Sequence, residues 1–171
     1  LYFQIRKSYF RSNFSDNYYF IFNETGLTGL YNIIWSANDT VGNSGNASDN
    51  FTVADISNPS VFDVRPTNGT TYNVSTSIEI SANVTDNIAV DKVLANVSIP
   101  NGSNQIISLV NLTGAKYNNS YLIPNVTGVY SITFIANDTS NNINNTVITF
   151  FVAAEDINPE VFDLRPIAGN I

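Results

Sequence analysis

The chain has 171 residues and a net charge of −7, with 12% charged residues against 43% hydrophobic ones, and it contains neither cysteine nor histidine. Those two absences exclude a disulfide framework, thiolate chemistry, Cys/His zinc sites and the Ser-His-Asp and Cys-His nucleophilic systems. The acidic balance argues against a phosphate-binding surface, so no nucleic-acid partner is expected, and no run of about 18 apolar residues offers a membrane span.

From the N-terminus, Leu1-Tyr2-Phe3-Gln4 matches the end of an engineered protease site, with native sequence as the open alternative. Arg6, Lys7 and Arg11 form the one basic cluster and read as charge guarding an exposed strand edge. Strand-length apolar stretches follow at Tyr18 to Phe22, Tyr31 to Ala37 and Phe51 to Val53. Ser60 to Arg65 is the next strand, and Thr67-Asn68-Gly69-Thr70 a turn. In Ser77 to Val84, residues Ile78, Ile80, Ala82 and Val84 share one face while Ser77, Glu79, Ser81 and Asn83 share the other. Val93, Ala95, Val97 and Ile99 alternate in the same way, and Pro100-Asn101-Gly102-Ser103 reads as a hairpin turn. Gln105 to Val110 and Tyr117 to Ile123 follow. Tyr130 to Asn137 then points Tyr130, Ile132, Phe134 and Ala136 inward, and Thr146 to Val152 closes the series. No amphipathic helical stretch competes with these strands.

Two segments recur. Gly29 to Thr40 matches Gly128 to Thr139 at an offset of 99, and Asn58 to Pro66 matches Asn158 to Pro166 at an offset of 100. A period of about 100 residues fits a tandem array of separately cored domains rather than a solenoid. About seven short strands per unit is the pattern of an immunoglobulin-like β-sandwich, so the expected fold class is all-β, with immunoglobulin-like sandwiches in tandem. The expected division is residues 1–53 as the C-terminal part of one such domain, 54–153 as a complete domain, and 154–171 as the first strand of a following one. On that reading the chain is a window on a longer protein whose anchor and export signal lie elsewhere. Donor-strand addition to an exposed edge stays open as a secondary arrangement. Trp35 and Phe134 occupy equivalent inward positions and read as core.

Fifteen of the 27 asparagines begin an Asn-x-Ser/Thr acceptor triplet: Asn13, Asn23, Asn38, Asn46, Asn50, Asn68, Asn73, Asn83, Asn96, Asn101, Asn111, Asn118, Asn125, Asn137 and Asn144. Random placement of 27 asparagines and 32 Ser plus Thr would give roughly 5. The excess points to a chain N-glycosylated outside a membrane, where neutral glycans replace surface charge as the solubilising element. Asn83, Asn96 and Asn137 fall on the polar phase of their strands, so sugar there would spare the packing. Asn58-Pro59-Ser60 is barred as an acceptor by its proline. A secreted glycoprotein without disulfides points to a prokaryotic, especially archaeal, surface.

Arg65-Pro66-Thr67-Asn68-Gly69-Thr70-Thr71-Tyr72, Ala82 through Val93 and Tyr130 through Asn142 resemble the immunoglobulin-like repeats of bacterial and archaeal cell-surface proteins. Such repeats show a Pro-x-Asn/Asp-Gly opening, a central DN-x-V-x-KV step and a closing strand ending in A-x-D-x-x-GN. Ser140-Asn141-Asn142 departs from the last by lacking the glycine, which Thr40-Val41-Gly42-Asn43 keeps. The resemblance implies a structural or adhesive role in a surface layer, sheath, filament or adhesin, and no catalytic residues.

Oxygen ligands for calcium are available at Asp86, Asn87, Asp91, Asp138 and Asn141, with Glu155 and Asp156 at the junction between units. The alternative is that these residues only make turns at strand ends. Lys92 or Lys116 could form an amide with an asparagine, although no diagnostic motif marks it. No catalytic pair is visible, and the chain does not read as an enzyme. The expected function is an extracellular, glycosylated architectural segment that associates with itself or with other surface proteins; the alternative is the stalk of an adhesin whose binding module lies outside it. No cofactor is required on either reading beyond covalent N-linked glycans, with calcium open.

Overall fold

The computed structural model describes residues 2–5, 11–13, 17–19 and 26–155, all as strands, turns and loops without a helix. Near the N-terminus, β1 (Tyr2–Ile5) runs parallel to β4 (Gly29–Asn38), which pairs antiparallel with β5 (Ser44–Val53). A short antiparallel pair, β2 (Arg11–Asn13) with β3 (Asn17–Tyr19), stands apart in hydrogen bonding. Arg6 and Lys7 lie outside the described residues, as does most of the strand expected at Tyr18 to Phe22.

Residues 60–154 form a two-layered sandwich. One layer holds β6 (Ser60–Arg65), β8 (Ser77–Thr85) and β11 (Lys116–Leu122); the other holds β9 (Val90–Ser98), β12 (Gly128–Asp138), β14 (Ile148–Ala154) and β7 (Thr70–Asn73). The strand β10 (Asn104–Thr113) joins them, because its first half pairs with β9 and its end pairs with β11. This strand order, with β7 parallel to β14 at one edge, is that of an immunoglobulin-like sandwich. The short β13 (Ile143–Asn144) adds to the far end of β12.

Alternation explains the core. Ile78, Ile80, Ala82 and Val84 of β8 face Val93, Ala95 and Val97 of β9 and Tyr130, Ile132, Phe134 and Ala136 of β12, all buried in one cluster with Ile107, Leu109, Tyr121, Ile123, Phe151 and Ala153. β-branched and aromatic side chains suit such a pleated, half-buried surface. Tight turns close the strands: Gly102 (φ 88°) donates to Ile99 O at 2.9 Å, while Ile99 donates to Ser103 O at 2.8 Å. The strand pattern read from alternation therefore matches the structure from β6 onward, with β7 and β13 as additions.

The β4–β5 hairpin and the β12–β14 pair are built alike, and the structure locates the change of offset from 99 to 100. Between β4 and β5 the pairing is regular from Gly29↔Val53 to Asn38↔Ser44. In the second hairpin Ala136↔Asn144 is followed by Thr133↔Ile148, so the register slips by one residue across the segment between β13 and β14. The extra residue is a bulge, which splits one long strand into two.

Two expectations are corrected here. Trp35 is only half-buried rather than core, and Tyr31 is the one buried residue among residues 26–53. Asn137 is buried at 8% exposure rather than outward. Pairing with β9 is regular through Asn137↔Lys92 and shifts only beyond it, at Asp138↔Val90, where Asp91 of β9 is the extra residue; Asn137 is buried with its amide on Asp91, and Ala136, Asn137 and Asp138 are buried in succession.

Candidate functional site

Two features carry chemistry: a cluster of carboxylates at one end of the sandwich, and the acceptor asparagines.

The cluster is assembled by three separate stretches of chain. Asp86 ends β8's turn, where its Oδ2 accepts from the backbone of Ile88 at 2.9 Å and Ala89 at 3.2 Å. Asp138 ends β12 and is 1% exposed; its Oδ1 accepts from the backbone of Ser140 and Asn142, each at 2.8 Å, and its Oδ2 from Asn142 Nδ2 at 2.7 Å. Asn141, at φ 69°, takes the left-handed conformation that this tight loop demands and that asparagine tolerates. Asp55 lies in the segment entering the sandwich, and its Oδ1 accepts from Ser57 N and Asn87 Nδ2, both at 3.1 Å. A carboxylate oxygen from each of Asp55, Asp86 and Asp138 lies within 4.8 Å of the others.

Burial pushes the Asp138 carboxyl up, but the hydrogen bonds from Asn142, Ser140 and Asn141 together outweigh it and hold the group below the ordinary aspartate value. The exposed Asp39 is lowered chiefly by Asn43, whose side chain and backbone both donate to it, so the same loop chemistry occurs in the first hairpin.

Of the residues named from sequence, Asp86 and Asp138 converge and Asn87 supports them. Asp91 stands outside the cluster and accepts from Asn137 Nδ2 at 3.4 Å. Asn141 serves the turn, Glu155 is exposed outside the group, and Asp156 lies outside the described residues. Asp55 was missed, although the reasoning that named Glu155 and Asp156 at one junction applies equally to Asp55 at the other. The segment holding Asp55 is stitched to the sandwich by Asn142 Nδ2 on Asp55 O at 3.2 Å and by Asn144 Nδ2 on Pro59 O at 2.9 Å.

Among acceptor asparagines whose burial is described, Asn38, Asn46, Asn50, Asn68, Asn73, Asn101, Asn111 and Asn125 are exposed, and Asn83, Asn96, Asn118 and Asn144 are partly so. The side chains of Asn13 and Asn23 lie outside the description. Asn118 and Lys116 both donate to Glu79 Oε1, at 2.7 and 2.8 Å, and Lys116 holds the Glu79 carboxyl below its usual range. This ion pair is how Lys116 is engaged.

No protein-family model and no curated protein matches this sequence. Among solved structures, one similar fold is that of the fibronectin(III)-like modules of Clostridium thermocellum CbhA, at 18% identity and a TM-score of 0.45 over 75% of this chain. The chain spans 63% of that structure, less than two thirds of it. The fold assignment rests on this chain's own strand order.

Proposed function

We propose that this chain is a segment of an extracellular, N-glycosylated structural protein, in which sandwich domains follow one another and assemble with copies of themselves or with other surface proteins. The observation that carries the reading is the acceptor excess: fifteen triplets, of which all but Asn137 among those with described burial reach the surface. The tandem arrangement is supported by the recurrence of one hairpin design, down to the Asp39–Asn43 and Asp138–Asn142 loops.

The two faces of the sandwich differ in a way that bears on assembly. The outer face of β8 and β11 is polar, with Ser77 and Ser120 joined at 2.8 Å beside Glu79, Asn118 and Lys116. Across the other layer, Ile148, Thr133, Asn96 and Ile106 lie side by side on four adjacent strands, with Ile148 and Ile106 exposed. Sugar on Asn96 would cover that apolar row and direct contacts elsewhere; a bare Asn96 would leave it free for lateral packing.

The test is native-source protein, analysed for glycopeptides and, by light scattering and electron microscopy, for assembly. Ordered assemblies with sugar on the exposed asparagines are expected. Unmodified protein that stays monomeric at all concentrations and salt conditions would overturn the reading.

A further inference from the structure

Resting on the reading of the chain as N-glycosylated, we infer that the folded sandwich sorts its acceptor asparagines: Asn68 and Asn101 carry sugar, whereas Asn83 and Asn118 stay bare. What separates them is the amide atom that the protein holds. N-linked sugar joins the side-chain nitrogen, so an acceptor needs Nδ2 free, while its Oδ1 can be anchored without loss.

Asn68 and Asn101 are anchored through oxygen. Asn68 Oδ1 accepts from Phe150 N at 3.1 Å, with the Thr149 hydroxyl 3.0 Å away. Asn101 Oδ1 accepts from Ser103 N at 3.0 Å and from the Ser103 hydroxyl at 2.7 Å. A backbone N–H can only donate, so oxygen must face it and nitrogen must point away. Both residues are exposed and lie in turns, so the nitrogen points into solvent.

Asn83 and Asn118 are held the other way round. Asn83 Nδ2 donates to Asp63 Oδ2 at 3.1 Å, and Asn118 Nδ2 to Glu79 Oε1 at 2.7 Å. Lys116 foremost, and then Asn118, keep the Glu79 carboxyl below its ordinary value, so it remains a pure acceptor and keeps the nitrogen turned towards it. Both asparagines sit on strands paired on both sides, β8 between β6 and β11, and β11 between β8 and β10. Freeing either nitrogen in the folded protein means giving up a bond to a carboxylate, the stronger kind of hydrogen bond.

Asn68 also has an apolar neighbour for its sugar to cover. Phe150 is 39% exposed, and its ring lies over Gly69, where an added Cβ would be 3.7 Å from Phe150 Cζ. Because Asn68 is bonded to the backbone of Phe150 itself, sugar on its nitrogen lies within reach of that ring and shields it from water.

The experiment is site-resolved glycopeptide mass spectrometry on the full chain from its native source, with occupancy measured at each of the four asparagines. Occupancy at Asn68 and Asn101 should exceed that at Asn83 and Asn118 by about tenfold or more, the factor that one hydrogen bond to a charged group is worth. Equal occupancy at all four, or sugar on other asparagines with none on Asn68 and Asn101, would overturn this assignment and leave the glycosylation reading standing. A chain bare at every asparagine would overturn both.

Discussion

The rings of Tyr130 and Phe151 stack with centroids 4.7 Å apart and planes 16° from parallel, while the Tyr130 hydroxyl donates to Val126 O at 2.8 Å. Tyr31 and Phe51 repeat the arrangement in the first hairpin, at 5.3 Å and 12°, with Tyr31 donating to Leu27 O at 2.8 Å. Each tyrosine thus joins the two arms of its hairpin through its ring and fixes the preceding loop through its hydroxyl, the tyrosine-corner device of immunoglobulin-like sandwiches.

Ring and hydroxyl should separate by mutation. Tyr130→Phe keeps the stack and leaves the Val126 carbonyl without its donor, costing about 1–2 kcal/mol. Phe151→Ala removes a fully buried ring that also meets Tyr72 edge-on at 5.8 Å, costing about 3–5 kcal/mol. Urea denaturation of both variants is the measurement, and equal losses would show that the rings do not dominate.

Tyr121 supplies a prediction about high pH. Burial, and secondarily Tyr130, push its hydroxyl up to about 12, and burial raises Tyr130 as well. In the unfolded chain both ionise near pH ~10, so there the unfolded state loses its protons first and folding is penalised. Stability from these groups should be complete below about pH 10 and fall steadily as the pH climbs towards 12. The Tyr121 hydroxyl is enclosed and has no hydrogen-bond partner, so Tyr121→Phe should be neutral or stabilising at pH 7 and should flatten the alkaline decline. Denaturation across an alkaline pH series would check both; a destabilised Tyr121→Phe would contradict the structure.

Gly128 opens β12 at φ 131°, and a Cβ there would lie 2.9 Å from Pro100 Cβ. Gly128→Ala combines a disfavoured backbone with a collision against a ring that cannot swing away, so a loss of more than about 1 kcal/mol is expected. Calorimetric melting of the variant decides it, and an unchanged midpoint would mean that the two chains part freely at this turn.

Glycopeptide mass spectrometry of native-source protein should find Asn38 occupied and Asn137 bare, although the two are equivalent by repeat. Asn38 is exposed, whereas Asn137 is 8% exposed with its amide turned to Asp91. Full occupancy at Asn137 would show that sugar is added before the sandwich closes and that the irregular β9–β12 step beside it rearranges to hold it.

How far the sequence alone reached follows from what each signal depends on. Ile78, Ile80, Ala82 and Val84 could be assigned to one face because side chains alternate along any extended strand, and that period is local to the chain. The same locality exposed the two copies of the hairpin and the acceptor triplets. The parallel pairing of β7 with β14 left no comparable trace, since it depends on a partner far along the chain. Asn137 was misplaced because its cover depends on the neighbouring strand: its amide meets Asp91, the extra residue where β9 and β12 slip in register. Trp35 has the apolar character of a core residue, yet it is only half-buried, and apolar type alone does not set the degree of burial. Asp86 and Asp138 were recognisable as oxygen donors, but their meeting with Asp55 was decided by closure of the sandwich, which brings the entering segment against two loops. Chemical type and local period are properties of the chain; convergence is a property of the packed layers.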